Sequence, residues 1–254
     1  MKRLLATFGF LWLIAGAARS PAAEIRVAVA ANFADGLAAL APLFTEQSGH
    51  SVTPIVGSTG RLFAQIQQGA PFDVFLAADS RRPLTLVDEE LALRPRVYAE
   101  GRLVFWSALG GLAAEDDADL IRALEDPRLQ HIALANPDLA PYGRAAVQTL
   151  GSMGLDSELG GRRVQGASVG QVWQFAVTGH AQGAFVALSQ VQDEPTERYL
   201  IVPTRRHQPI AQMAVLLAGA RDEQAAAAFL EFLAGEEARI IIQRYGYQVP
   251  ESGP

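Results

Sequence analysis

The sequence predicts an α/β protein with two units, each a mostly parallel sheet flanked by helices. Three observations predict this class. Short β-type runs alternate with helical patterns from residue 25 to residue 244, half of the 254 residues are hydrophobic, and neither a repeat nor a low-complexity linker interrupts the chain. Strands that alternate with helices at this interval favour parallel pairing, because each helix returns the chain over a face of the sheet.

The elements follow one another as strand, tight turn and helix. The first β-type run, 25–30, precedes an Ala/Leu-rich helical stretch at 33–47, and the second, 51–56, ends at the glycine-containing turn 57–60 before a helix at 61–68. The other predicted elements are strands at 73–77, 103–107, 132–135, 183–188 and 211–218, helices at 141–150, 169–178 and 222–233, and a helical turn that reaches Arg244.

The two units lack a flexible connector, so the chain is expected to cross between them along ordered strands near 100–102 and 208–212. This places residues 23–101 and 209–254 in a discontinuous lobe I, and residues 102–208 in lobe II. About 232 residues remain after the leader described next, which suffice for one large core or two smaller ones.

The N-terminus has the pattern of a secretory signal peptide at residues 1–22. Lys2 and Arg3 precede an apolar run at 4–18, and the small residues around Pro21 suit a signal peptidase, with cleavage expected after Ala22. The run is shorter than the roughly 20 residues that cross a bilayer. We therefore expect an exported protein located in the periplasm.

Charge and cysteine content exclude several classes of function. Without Lys2, Arg3 and Arg19, 18 basic residues face 27 acidic ones, a net charge of −9. Nucleic acid is not an expected partner, because such polyanions bind basic patches. The absence of cysteine excludes disulfides, thiolate metal ligands and a cysteine-linked lipid anchor.

Four β-type runs give way to a helix at a small polar or aromatic position. These positions are Asn32, Ser58, Tyr142 and the pair Ser168–Val169. A helix start leaves backbone N–H groups without partners and carries the positive end of the helix dipole. Taken singly, each position predicts only a helix cap, but four that converge at the carboxyl ends of strands would form an anion site without arginine or lysine.

The residues resemble the periplasmic molybdate-binding proteins of ABC importers, which have the two-lobe type II solute-binding architecture. The resemblance spans most of the chain beyond the leader and rests on the motifs Ala30–Phe33, Gly57–Gly60, Gln65–Phe75, Ala77–Asp79, Ala135–Pro137, Ala140–Gly143 and Arg244–Tyr247.

This resemblance implies binding of molybdate, with tungstate as a second ligand, through donors at Asn32, Ser58, Tyr142 and Val169. The metal would be held only through its oxygens, with no cofactor and no directly coordinated metal ion. The resemblance also implies a monomer that delivers its ligand to a membrane permease and catalyses no reaction.

Two departures from the family pattern concern tyrosine. Some members have a ligand tyrosine after the run that begins at Gly183, where this chain has Val186. Tyr142 lies where those members have a small residue that contributes only its backbone N–H. We therefore hypothesise that the Tyr142 hydroxyl substitutes for the missing one.

The residue types suit a fully ionised tetrahedral dianion. Such an ion has only acceptors, so hydroxyl, amide and backbone N–H donors suffice. Protonated phosphate would also need an acceptor, and none of the four positions is acidic. Sulfate has the same chemistry, so a carrier for another oxyanion is the first alternative.

An exported hydrolase is the second alternative. The segment 56–60 fails the G-x-S-x-G pattern, because glycine directly precedes Ser58. The remaining side chains that suggest chemistry have structural interpretations: scattered surface or loop residues for His50, His131, His180 and His207, caps or turns for Asp73 and Asp79, core for Trp106 and Trp173, and solvated turns for Arg81–Arg82 and Arg205–Arg206.

Overall fold

The computed structural model describes residues 22–112, 117–156 and 159–250. The predicted signal peptide, apart from Ala22, lies outside the described residues. Within these ranges, none of the helices has the length and apolarity needed to cross a bilayer.

The described residues form ten strands and eight α-helices. The strands are β1 (Glu24–Ala30), β2 (Ser51–Gly57), β3 (Val74–Ala77), β4 (Ala92–Gly101), β5 (Leu103–Ser107), β6 (Ile132–Ala135), β7 (Arg163–Gly166), β8 (Gly183–Ala187), β9 (Tyr199–Ile201) and β10 (Ile210–Leu217). The helices are α1 (Ala34–Ser48), α2 (Thr59–Gln67), α3 (Arg81–Asp88), α4 (Asp117–Glu125), α5 (Pro141–Ser152), α6 (Val169–Val177), α7 (Glu223–Ala234) and α8 (Glu236–Arg244).

The strands form two five-stranded sheets with the same pattern of directions. One has the order β2-β1-β3-β10-β4 and belongs to lobe I, and the other has the order β7-β6-β8-β5-β9 and belongs to lobe II. In each sheet the first three strands are parallel and the last two pair antiparallel with their neighbours. The predicted two-lobe α/β class is confirmed, although each sheet is mixed rather than mostly parallel.

The sheet of lobe I is buried on both faces by helices. Side chains of β1 alternate between two apolar clusters: Val27 and Val29 pack with Leu37 and Phe229 of α1 and α7, whereas Ala28 packs on the opposite face with α2 and α3. This alternation follows from the two-residue period of a strand. It explains why β1 is apolar at nearly every position.

Two connections link the lobes, and their ends lie side by side. The chain leaves lobe I at Gly101 and enters β5 at Leu103, and it returns between β9 and Ile210 at the start of β10. Ile210 pairs with Gly101 in the sheet. Both crossings therefore occur at one place.

Several elements are absent from the sequence-based prediction, and β4 shows why. This strand contains Arg94, Pro95 and Arg96, and most of its first half is exposed. It lies at the edge of its sheet, where proline and charged side chains are tolerated because one side of the strand faces solvent. Its sequence therefore lacks the apolar run that identified the central strands. Helices α3 and α4 and strands β7 and β9 were also missed.

Candidate functional site

The four predicted site residues line one small cavity between the lobes. Asn32 lies in a 3-10 turn before α1, Ser58 precedes α2, Tyr142 is the second residue of α5, and Val169 begins α6. The cavity is small and takes its lining from both lobes. The other residues that line it are Ala30, Ala31, Thr59, Ala78, Ala140, Pro141 and Ser168.

The described residues around this cavity include no charged side chain. Positive potential there comes from the helix starts, whose aligned peptide dipoles and unpaired N–H groups favour an anion. The cavity is also closed to bulk water at most of these positions, since Asn32, Ser58, Tyr142 and Val169 are each at most 5% exposed. Hydrogen bonds from these donors would therefore act in a medium of low dielectric constant.

Ser58 presents a hydroxyl that the protein does not use. It occupies the N-cap position of α2 in an extended conformation, yet its side chain makes no cap hydrogen bond. No described residue accepts or donates a hydrogen bond at this hydroxyl. Because Ser58 lines the cavity, its hydroxyl can donate to an anion bound there.

Lobe II contributes backbone donors. The N–H groups of Tyr142 and Val169 lie in the first turns of their helices, where no intrahelical acceptor exists, and no described backbone carbonyl accepts from them. Pro141 is the first residue of α5, where its fixed φ suits a helix start and its missing N–H removes no bond. Both donors are thus independent of side-chain identity.

Gly143 allows α5 to begin directly against the end of β6. A Cβ atom at this position would lie 2.1 Å from the carbonyl oxygen of Ala135 and 2.7 Å from its carbonyl carbon. These are backbone atoms, which cannot move aside as a flexible side chain can. Glycine therefore fixes the distance between β6 and the adjacent Tyr142 N–H.

The side chain of Asn32 is held by a buried polar network. Its Nδ2 donates to Oε1 of Gln212 (2.9 Å) and to the hydroxyl of Tyr247 (3.1 Å). Its backbone carbonyl accepts from the hydroxyls of Ser189 (2.8 Å) and Tyr247 (2.6 Å). Both side-chain N–H groups thus donate within the protein. The backbone N–H of Asn32 has no backbone acceptor among the described residues, so it is available to a ligand in the cavity.

The Tyr142 hydroxyl lies at the junction of the lobes. Nε2 of Gln212 is 3.5 Å from it, and a Cβ on Gly101 would lie 2.0 Å from it. Tyr98 donates its hydroxyl to Oε1 of Gln212 (3.0 Å), so one amide connects Tyr98, Tyr142 and Asn32. The ring of Tyr142 therefore spans from the cavity to the crossing strands.

Burial changes the acidity of the tyrosines in this network. Desolvation raises the pKa of Tyr98 and Tyr142 well above the usual value of a phenol, and it raises the pKa of Tyr247 to about 12 despite the hydrogen bonds that Tyr247 makes with Ser189 and Asn32. All three hydroxyls consequently stay protonated and neutral at physiological pH.

Sequence reasoning missed Gln212, Ser189 and Tyr98 as part of the site. Gln212 is fully buried and is a polar residue within the otherwise apolar run of β10. A buried polar side chain needs partners, so this interruption was a usable signal. No local sequence pattern identified Ser189 or Tyr98.

The two tryptophans and two aspartates considered in the sequence analysis make structural contacts. Trp106 is buried, packs edge-to-face on Trp173 at 5.7 Å and donates to Glu194 (2.9 Å), away from the cavity. Asp79 caps α3 by accepting from the Arg82 N–H (3.0 Å), as predicted. Asp73 instead bridges separate segments, because its carboxylate accepts from the N–H groups of Arg26 (2.6 Å) and Arg221 (2.8 Å).

The prediction of solvated turns for the arginine pairs is wrong for Arg82. This residue is 5% exposed, lies in α3 and pairs with Asp79. Arg205 and Arg206 lie in a short 3-10 turn and pair with Asp117. Hydrogen bonds from Arg206 and Arg205 lower the pKa of the Asp117 carboxyl to about 2. The structure gives neither of these two arginines a place at the cavity.

Comparison with known proteins places this geometry in context. The family described as bacterial extracellular solute-binding protein matches residues 25–248. The molybdate-binding protein ModA of Rhodobacter capsulatus is 42% identical over 93% of this chain and 93% of its own length. ModA of Azotobacter vinelandii is 41% identical over 97% of both chains. The structure of the Azotobacter vinelandii periplasmic molybdate-binding protein covers 90% of this chain and 100% of its own, with a TM-score of 0.84 and 36% identity.

Proposed function

Because this chain belongs to the family of bacterial extracellular solute-binding proteins, we propose that it binds molybdate between its lobes and delivers it to the permease of an ABC importer. One observation carries the proposal: four helix starts from two lobes meet at one small cavity without a charged side chain. Relatives with 41% and 42% identity, both named molybdate-binding proteins, support the choice of ligand.

In this proposal the oxyanion is held by Asn32, Ser58, Tyr142 and Val169. Ser58 supplies its hydroxyl and the others supply backbone N–H groups. Tungstate, an ion of the same charge and shape, would bind in the same way. Phosphate would bind poorly, because a protonated oxygen needs an acceptor and no carboxylate is among the described residues that line the cavity.

The proposal includes the organisation of the mature protein. Cleavage after Ala22 would release a periplasmic monomer without a lipid anchor. Residues 23–101 with 209–254 would move as lobe I and residues 102–208 as lobe II, closing on the ligand about the crossing strands. Closure would complete the donor shell, since donors come from both lobes.

A binding role rather than a catalytic one is favoured by the surroundings of Ser58. Its hydroxyl has no histidine or carboxylate partner among the described residues, whereas a serine nucleophile needs a base within hydrogen-bond reach. A hydrolase screen in which Ser58→Ala abolished turnover would contradict this conclusion.

Calorimetric titration tests the proposed ligand. Protein that has been unfolded, stripped of ligand and refolded is titrated with molybdate, tungstate, sulfate and phosphate. We expect micromolar or tighter binding of molybdate and tungstate, and at least about tenfold weaker binding of phosphate, since one buried repulsive contact costs about that much. Sulfate binding as tight as molybdate binding would reduce the assignment to a general oxyanion carrier.

Solution scattering tests closure independently. The radius of gyration of the ligand-free protein should decrease when molybdate is added, because the lobes approach each other. Identical scattering in both states would contradict a closing motion and leave the binding assignment to the titration.

A further inference from the structure

Arg82 is a buried cation that belongs to lobe I and contacts lobe II. Its guanidinium pairs with Asp79, three residues earlier, through Nη1. Its Nη2 donates to the backbone carbonyl of Asp138 in lobe II. The planar guanidinium can serve both acceptors at once, because its N–H groups point in fixed, divergent directions. The charge of Arg82 is thereby compensated within lobe I, and its second edge is available to the other lobe.

A backbone contact lies beside this bridge. The N–H of Gly60 donates to the carbonyl oxygen of Leu139 at 2.8 Å. A Cβ on Gly60 would lie 2.9 Å from the Cα of Leu139 and 3.1 Å from Nη2 of Arg82. Segment 138–139 of lobe II therefore rests directly on lobe I, next to the cavity residue Thr59.

The same segment leads into the helix start that lines the cavity. The N–H of Asp138 donates to Oδ1 of Asn136 (2.9 Å), and the N–H groups of Leu139 and Ala140 donate to the Asn136 carbonyl (3.1 and 2.8 Å). These bonds make 136–140 a compact turn. A displacement of Asp138 would consequently shift the N–H of Tyr142, four residues later in the chain.

We propose that Arg82 is a positioning residue that retains the bound oxyanion by holding segment 138–140 of lobe II against lobe I. This inference rests on the proposed function. The bridge from Arg82 to Asp138 exists only while the lobes touch, whereas the pair with Asp79 lies within lobe I and persists when they part. Arg82 therefore acts on release of the ligand rather than on its arrival.

Arg82→Lys is the sharpest variant. Lysine keeps the positive charge beside Asp79, but its single ammonium on a shorter reach cannot also meet the Asp138 carbonyl. The matched control is Arg81→Lys, because Arg81 is the preceding residue and is exposed. Release is measured by chasing isotope-labelled molybdate with an excess of unlabelled molybdate, and the association rate constant follows from this rate and the calorimetric Kd.

We expect the dissociation rate constant of Arg82→Lys to rise about tenfold, the size of one lost charge-assisted hydrogen bond. The association rate constant and the melting temperature of the ligand-free protein should match those of Arg81→Lys. A dissociation rate constant equal to that of the control would overturn the proposal. A slower association that accounts for the whole change in affinity would also overturn it. So would a lower melting temperature of the ligand-free protein, because that result assigns Arg82 a purely structural role.

A second variant decides the question if Arg82→Lys does not fold. The double variant Asp79→Asn with Arg82→Gln removes both buried charges. The amide oxygen of Asn at position 79 can still accept from the backbone N–H of residue 82. The bridge to Asp138 is lost, so the same kinetic criteria apply. Failure of wild-type protein to bind molybdate would overturn the proposed function and this inference together. Wild-type binding with unchanged release in the variants would overturn only the role of Arg82.

Discussion

Ser58 and Ser168 occupy equivalent places in the two lobes but make different contacts. Each immediately precedes a helix and lines the cavity. The Ser168 side chain accepts from the Gln171 N–H at 3.2 Å and so caps α6, whereas the Ser58 side chain caps nothing. The same residue type at the same kind of helix start thus stabilises a helix in lobe II and offers a donor to a ligand in lobe I.

This difference extends to the lobes as a whole. In lobe I the donor set includes a side chain, and Asn32 is fixed by four hydrogen bonds with three side chains of the polar network, those of Gln212, Ser189 and Tyr247. In lobe II the donors are backbone N–H groups, whose positions depend on where α5 and α6 begin. Side-chain substitutions should therefore impair binding in lobe I, and changes in backbone position should impair it in lobe II.

The largest effect is expected from Gly143→Ala, which moves a backbone donor of lobe II. The new Cβ would overlap the Ala135 carbonyl and push α5 away from β6, at a cost of roughly 1–3 kcal/mol in stability. Displacing the Tyr142 N–H should weaken molybdate binding by about 100-fold, which is near the upper end for one lost charge-assisted hydrogen bond. Calorimetry and thermal unfolding measure both quantities.

Gly151→Ala is the matched control on the same helix. A Cβ there meets no atom within 4 Å, so alanine should keep full affinity and raise helix stability by up to about 1 kcal/mol. Wild-type affinity in Gly143→Ala would show that lobe II does not depend on the position of this helix start.

The next effect is expected from Ser58→Ala, which removes the side-chain donor of lobe I. Binding of molybdate should weaken by about 1–3 kcal/mol, with little change in the free energy of unfolding, since no described residue loses a partner. Ser168→Ala should do the reverse: about 1 kcal/mol of stability lost with its cap and nearly unchanged affinity. Equal affinities for the two variants would erase the contrast between the lobes.

A smaller effect is expected from Tyr142→Phe. The hydroxyl contacts Gln212 and lies against Gly101 at the lobe junction, and the backbone N–H remains in the variant. We expect the Kd for molybdate to change by less than about threefold. A tenfold or greater increase would show that the hydroxyl reaches the ligand and would transfer part of the side-chain role to lobe II.

The smallest effect is expected from pH. The tyrosines are the titratable groups of the described site, and burial raises their pKa, so the Kd should be constant between about pH 6 and 9. A folded-state pKa of about 12 for Tyr247, above the usual 10, means that its contribution to stability is complete below pH 10. That contribution is lost as the pH rises toward 12, because unfolded tyrosine ionises first.

Acid should act elsewhere in the molecule. The pKa of Asp117 is lowered to about 2 by Arg206 and Arg205 of lobe II, so its contribution to stability is present above its usual value of 3.8. The contribution is lost as the pH falls from there toward 2. Unfolding curves recorded across both ranges would reveal the two losses, and a Kd that varied at neutral pH would point to a titratable ligand contact.

Local patterns sufficed for much of the fold and for the positions of the candidate site. The central strands are apolar because helices cover both faces of their sheets, and Asn32 and Tyr142 stand where two of them end. Ser58 and Val169 instead follow the edge strands β2 and β7. Edge strand β4 and helix α3 escaped prediction because their charged residues and prolines resemble those of loops. Arg82 escaped for the same reason, since its burial depends on Asp79 and on a carbonyl 56 positions away in the chain.

The sequence by itself determined the α/β class, the order of the main strands and helices, and the presence of unpaired N–H groups at four helix starts, because each of these depends on residues close together in the chain. Only the tertiary structure decided which hydroxyl is left free, that Tyr142 turns its own toward Gln212, and that Arg82 reaches lobe II. These outcomes depend on competition among partners far apart in sequence, and that competition is settled only when the two lobes meet.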